Sequence, residues 1–247
     1  MTNNLPMIPG AKAAKGNFLA QVRSAKATRA VTTQVAGASL LTAALVSAPP
    51  RIVLAIDATA SREPCWAAAK QTTDILFSAV PGELQVALAV HGGSEVHTFT
   101  DFLSDASALR DRAAGVQCRA GQTMLVPLLD QVRLKTGVKT VIYVGDTFEE
   151  REEDLMNVAT ALRLRGTRVI VLHDTSEGQD PEARRVFAKL ADTTQGAVLP
   201  FDPSSIERLR ELLQAVAMLA VGGVKLLEAK AKQLPAARLL LANLSKS

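Results

Sequence analysis

Ile52-Val53-Leu54-Ala55-Ile56-Asp57-Ala58-Thr59-Ala60-Ser61 decides how this chain is read. A continuous apolar run ended by an aspartate has the pattern of a strand buried on both faces, as in a parallel sheet. Asp57 then marks the point where the chain leaves the sheet. In open α/β sheets, ligands bind at that carboxyl edge. Two hydroxyls follow at alternate positions. Alternate side chains of an extended loop share a side, so Asp57, Thr59 and Ser61 can converge on one point. Ala58 and Ala60 turn away and are too small to block it. An all-oxygen set suits a hard cation such as magnesium, which keeps some of its waters. The same residues also suit a plain helix start, with Ser61 as N-cap and Pro64 in the first turn. The triplet alone leaves both readings open.

Outward from this stretch, the length of 247 residues suits one large α/β domain with extensions, or two small domains. Hydrophobic residues make up 48% and aromatics only 4%, so a core must be built from Ala, Val, Leu and Ile. The net charge of +4 comes largely from the two ends, through Lys12, Lys15, Arg23, Lys26 and Arg29 and through Lys225, Lys230, Lys232, Arg238 and Lys246. A nucleic-acid platform interleaves aromatics with its cations, and neither end does so beyond Phe18, so nucleic acid is not the expected partner. Cys65 and Cys118 form no C-x-x-C pair and read as reduced thiols of a cytoplasmic protein. With only His91, His97 and His173, a histidine-based metal site or triad has little to draw on. Residues 30–48 loosely resemble a secretory signal, so export by an atypical N-terminal signal is the alternative location. The apolar part of that stretch carries Thr and Ser and is too short to span a membrane.

Pro49-Pro50 marks a firm boundary. Before it, a basic arm with helical segments occupies residues 1–48. The pattern then predicts a strand at 51–57, a helix at 63–79, a strand at 84–91, a turn at Gly92-Gly93 and an antiparallel strand at 95–102. Helices follow at 105–114 and 124–134, then a buried strand at 139–145 and a helix at 148–165. A strand at 167–173, a helix at 181–190, a short strand at 197–201 and a helix at 204–221 complete a domain spanning residues 49–221. Gly222-Gly223 separates a basic C-terminal helical extension at 222–247, broken at Pro235. This alternation predicts a Rossmann-like, three-layer α/β/α fold, its sheet mostly parallel with one antiparallel edge strand.

Two further features fall at element ends. The second buried strand runs into Val144-Gly145-Asp146-Thr147, again ending in an aspartate. The loop Cys118-Arg119-Ala120-Gly121-Gln122-Thr123 presents a hydroxyl just before a helix. Asp57-x-Thr59-x-Ser61, then Thr123, then Asp146 resemble the metal-ion-dependent adhesion site of the von Willebrand factor type A domain. That family has D-x-S-x-S after its first strand, a threonine in a second loop and an aspartate after its fourth strand. The element order across residues 50–221 is similar to that family's as well. The resemblance implies that Thr59, Ser61 and Thr123 give hydroxyl oxygens to Mg²⁺ or Mn²⁺, while Asp57 and Asp146 hold its waters. Thr59 departs from the family's serine and, being β-branched, has a restricted rotamer. No glycine follows Asp146.

Neutral hydroxyls leave a bound dication's charge uncompensated, so the expected last ligand is an Asp or Glu carboxylate of another protein. The expected function is a metal-dependent protein-binding module, a scaffold or assembly factor and not an enzyme. A magnesium-dependent phosphate-ester hydrolase and a metal-free interaction module are the alternatives. The hydrolase pattern D-x-D-x-T needs a second carboxylate as general acid where Thr59 stands. Glu149, Glu150, Glu152, Glu153 and Asp154 read as a solvated helix start favoured by the helix dipole. Trp66 reads as helix packing.

Overall fold

The computed structural model describes residues 48–60, 63–82, 84–175, 180–202 and 204–244. The sequence expectations for Ser61 and for the N-terminal arm fall outside these residues. Among the described residues six strands form one sheet: β1 (Arg51–Asp57), β2 (Gln85–Gly92), β3 (Glu95–Phe99), β4 (Val138–Gly145), β5 (Arg168–Asp174) and β6 (Ala197–Phe201). Their order is β3-β2-β1-β4-β5-β6. All pairings are parallel except β2 with β3, which places one antiparallel strand at the edge. The fold is therefore the mixed, mostly parallel α/β architecture expected from the sequence.

Alternation along the strands separates the two faces. Ile52, Leu54 and Ile56 of β1 join one core, against helices α1 (Glu63–Thr72), α2 (Ile75–Ala79), α3 (Ala106–Ala114), α7 (Ile206–Lys230) and α8 (Pro235–Asn243). Val53 and Ala55 join the other, under α4 (Leu125–Arg133), α5 (Glu152–Leu164) and α6 (Pro181–Thr194). Strands covered on both faces must be apolar at every position, which is why β1, β2, β4 and β5 read as unbroken hydrophobic runs. Each such Val, Leu or Ile contributes roughly 1.5–3 kcal/mol by leaving water. The connection from β1 crosses one face and the connection from β4 crosses the other. The sheet order reverses between these neighbours, so their carboxyl ends flank the topological switch point.

Several boundaries differ from the sequence expectation. The helix expected at 63–79 is two helices, interrupted at Thr73-Asp74. The hairpin turn is Gly93-Ser94, one residue later than expected, with φ of +64° and +63°, the left-handed pair that a two-residue turn matching strand twist requires. β3 stops at Phe99, and pairing with β2 resumes only as a bridge between Val86 and Leu103. The helix expected at 204–221 begins only at Ile206, and Asp202 ahead of it accepts from the Ser204 amide. Gly223 departs from helical geometry at φ +64° and ψ −164°, yet the chain resumes helix to Lys230. Beyond it, Leu227, Ala236, Ala237 and Leu240 are fully buried in the same core as β1. By length and apolar content, α7 could cross a membrane. Its Leu209, Leu212, Leu213, Val216 and Leu219 are instead packed in that core.

Candidate functional site

Asp57 is the last residue of β1 and is 1% exposed. Its Oδ1 accepts the Thr59 amide at 2.9 Å, a side-chain-to-backbone turn that bends the chain as it leaves the sheet. Thr59 is half-buried and Ala60 exposed. The Ala58 amide donates to the His91 carbonyl at 2.8 Å, and the Ala58 carbonyl accepts from the Arg119 amide at 2.9 Å. The exit of β1 is thus stitched to β2 on one side and to loop 115–124 on the other.

That loop is held along its length. The Val116 carbonyl accepts from Trp66 Nε1 at 3.2 Å and from Lys70 Nζ at 3.1 Å. Trp66 is fully buried in the core while anchoring this loop through its indole N–H. The Arg119 carbonyl accepts from the Gly93 amide at 3.2 Å, and Ser94 Oγ accepts from the Gln122 amide at 3.0 Å. Gly121 lies against the hairpin so closely that a Cβ there would fall 2.5 Å from the Gly93 carbonyl carbon and the Ser94 nitrogen.

Thr123 is 1% exposed and forms a reciprocal pair with the third loop. Its amide donates to Glu149 Oε2 at 3.0 Å, and its Oγ1 accepts from the Glu149 amide at 3.1 Å. The neighbouring Glu150 accepts from the Leu125 amide at 2.6 Å (Oε1) and from the Val126 amide at 3.0 Å (Oε2). These two acids correct the sequence reading, which put them on a solvated helix start. The helix begins only at Glu152, and both carboxylates turn back toward α4. A signal for this was present in the sequence. Met124, which cannot cap, holds the N-cap position of α4, so the first amides needed an acceptor from elsewhere. Glu150→Ala is expected to lower unfolding free energy by about 1–2 kcal/mol in urea titration, by leaving those amides without their acceptor.

Asp146 follows the last residue of β4 and is partly buried. Its carbonyl accepts from His173 Nε2 at 3.0 Å. Thr147 donates its hydroxyl to Asp180 Oδ2 at 3.1 Å, tying the loop to the N-cap of α6.

Thr59 and Thr123 come together around one open cavity of about 240 Å³, completed by Ala60, Ala120, Gly121, Thr147 and Glu149. Asp57 and Asp146 sit at the strand ends from which two of its loops leave. Among the described residues no three His, Cys, Asp or Glu side chains cluster as metal ligands. The donors offered here are hydroxyls with separate carboxylates, an all-oxygen chemistry that fits a hard cation. Thr123 Oγ1 uses one lone pair on the Glu149 amide and keeps the other.

His91 is fully buried beneath the site. Burial, followed by the nearby His97, lowers its pKa to about 4. Its Nδ1 accepts the Met124 amide at 3.3 Å, which assigns the proton to Nε2, 3.3 Å from the Tyr143 hydroxyl. The 3.8 Å approach of Nδ1 to Asp57 Oδ1 is therefore a contact with a neutral ring and not an ion pair at neutral pH. Burial raises the Glu150 pKa against the opposing pull of the Val126 and Leu125 amides. The Cys118 thiol is pushed up to about 12, first by burial and then by Glu63, so it is not a thiolate nucleophile near neutral pH.

No protein-family model matches the sequence, and no curated protein does. Solved structures are similar to it. A protein described as von Willebrand factor type A from Catenulispora acidiphila superposes with a TM-score of 0.58 at 19% identity, over 69% of this chain and 43% of its own. Proximal thread matrix protein 1 from the mussel byssus, with a zinc-occupied MIDAS motif, gives 0.55 at 15% identity, over 68% of this chain and 46% of its own. The vWF domain of the type V pili tip protein Mfa5 from Porphyromonas gingivalis gives 0.55 at 11% identity, over 71% of this chain and 97% of its own. This chain thus spans less than half the length of the first two.

Proposed function

From the von Willebrand factor type A fold of this chain as premise, we propose a metal-dependent binding module. A divalent cation, magnesium or manganese, would sit in the cavity between the loops after β1, before α4 and after β4. The observation that supports this is that Thr59 and Thr123, from separate loops, line one cavity at the switch point of the sheet. The hydroxyls of Thr59, Ser61 and Thr123 would hold the cation, with Asp57 and Asp146 holding its waters. The zinc-occupied MIDAS of the mussel protein supports a divalent ion in general. Magnesium and manganese are preferred here because every donor is a hard oxygen.

The bound ion would confer an affinity for anions, since hydroxyl ligands cancel none of its charge. The ligand class is an Asp or Glu carboxylate of a partner protein, which makes the chain a scaffold or assembly factor. A phosphate-ester hydrolase would require a general acid two residues after Asp57, and Thr59 stands there.

Titrating Mn²⁺ or Mg²⁺ while following the melting temperature tests the reading. Wild type is expected to show a rise that grows with the logarithm of ion concentration above Kd, reaching about 2.7 kcal/mol of stabilisation at a hundredfold excess over Kd. Thr59→Ala, at a half-buried position outside the core, is expected to melt normally without ion and to need more than tenfold more ion for the same rise. A flat wild-type titration would remove the metal from the reading altogether.

A further inference from the structure

At the opposite edge of the sheet, two helix ends carry the same local pattern. α4 runs out into Arg133-Leu134-Lys135-Thr136-Gly137-Val138-Lys139, and α5 into Arg163-Leu164-Arg165-Gly166-Thr167-Arg168. Each stretch carries three cations and no carboxylate. One turn earlier, Asp130 pairs with Arg133. The two stretches adjoin. Arg165 donates to the Lys135 carbonyl at 3.3 Å, and Lys135, Lys139 and Arg165 line a shared cleft of about 250 Å³.

Cations at helix C-termini are expected on dipole grounds alone. The leucines are not. Leu134 is 66% and Leu164 84% exposed, the two most exposed large hydrophobic side chains among the described residues. Leu164 ends α5 and Leu134 directly follows α4, and the other leucines of these helices are buried, such as Leu128, Leu129, Leu155 and Leu162. Among the described residues only Arg133 of these cations pairs with a carboxylate, and two projecting leucines beside the others match one kind of surface: anionic headgroups over a hydrocarbon interior. Each cation near such a surface adds about 1 kcal/mol of attraction, and apolar side chains gain by entering it. Nucleic acid would use the cations but offers no matching environment for the leucines.

We propose that loops 133–139 and 163–168 form a docking surface for an anionic phospholipid bilayer. Docked in this way, the domain turns the strand ends of β1 and β4 away from the membrane. The inference does not rest on the metal reading.

The test is co-sedimentation of the full chain with vesicles of phosphatidylglycerol and phosphatidylcholine, and with vesicles of phosphatidylcholine alone. The N-terminal stretch is also basic, so the decisive comparison is between variants. Leu134→Ser with Leu164→Ser, and Arg163→Glu with Arg165→Glu, are each expected to weaken binding to the anionic vesicles by about tenfold or more. These positions are exposed, so melting should be unchanged. Phosphatidylcholine vesicles are expected to bind little of any form. Wild-type strength in either double variant overturns the proposal. So does loss in the charge variant alone, which would mark a general polyanion surface such as one for nucleic acid.

Discussion

Gly121→Ala is expected to cost about 3 kcal/mol of stability and to erase the rise in melting temperature with Mn²⁺. The added methyl would lie 2.5 Å from the Gly93 carbonyl carbon and the Ser94 nitrogen, and 2.6 Å from the Gly93 Cα. All three are backbone atoms of a tight turn between paired strands, so no side chain can rotate out of the way. Loop 115–124 must lift instead. Lifting it strains the bonds from Gly93 and Gln122 that hold it to the hairpin, and it carries Thr123 away from Thr59 across the cavity. Gly115→Ala is the control in the same loop. Its φ is −77°, and its new methyl would meet only the Arg112 carbonyl at an ordinary 3.7 Å. Urea unfolding of the two variants, each followed by ion titration, separates a close-approach requirement from a general sensitivity of the loop. Equal stability of the two would show that the hairpin contact does not hold the loop.

The same contacts show what could be read from the sequence. β1, β4 and β5 were legible because burial on both faces demands apolar residues at every position, and each run ends in a residue that can break it. The site loops were legible for the same reason, since Asp57 and Asp146 interrupt hydrophobic runs. Glu149 and Glu150 were misread because charge density at a helix start has an ordinary explanation. Their true partners lie about 25 residues back, at amides whose need shows only once Met124 is recognised as a poor cap. The start of α5 was misplaced with them. Ser94 illustrates the limit differently. It occupies a left-handed turn position usually given to Gly, Asn or Asp, and it supplies a hydroxyl to the Gln122 amide. That bond joins loops 28 residues apart, beyond the reach of local pattern.

Acidification is expected to destabilise the fold through His91 in a defined window. The ring is fully buried and stacked on Tyr143 at 5.9 Å between centroids. Its pKa falls from 6.5 to about 4, chiefly because burial penalises the charged ring. Protonation would also place a second hydrogen on Nδ1, where the Met124 amide already donates. An unfolded chain takes up this proton near its ordinary pKa, whereas the folded one refuses it until about pH 4. Between these values the unfolded state binds more protons, so stability falls as pH falls and the loss is complete below the folded pKa. The shift corresponds to roughly 3 kcal/mol, at about 1.4 kcal/mol per pH unit. Glu150 works in the opposite sense. Its raised pKa means that its contribution is present at low pH and is lost as pH rises through the folded value. Wild type and His91→Gln share that term, so comparing them at each pH isolates His91. Glutamine retains an acceptor for the Met124 amide and a donor for Tyr143, at a packing cost that does not vary with pH. The wild-type curve should therefore fall more steeply than the variant's between pH 6.5 and about 4. Parallel curves would mean that the ring already carries its charge in the folded state. The Met124 amide could not then be its hydrogen-bond donor, and the link from β2 to the loop bearing Thr123 would have to be made another way.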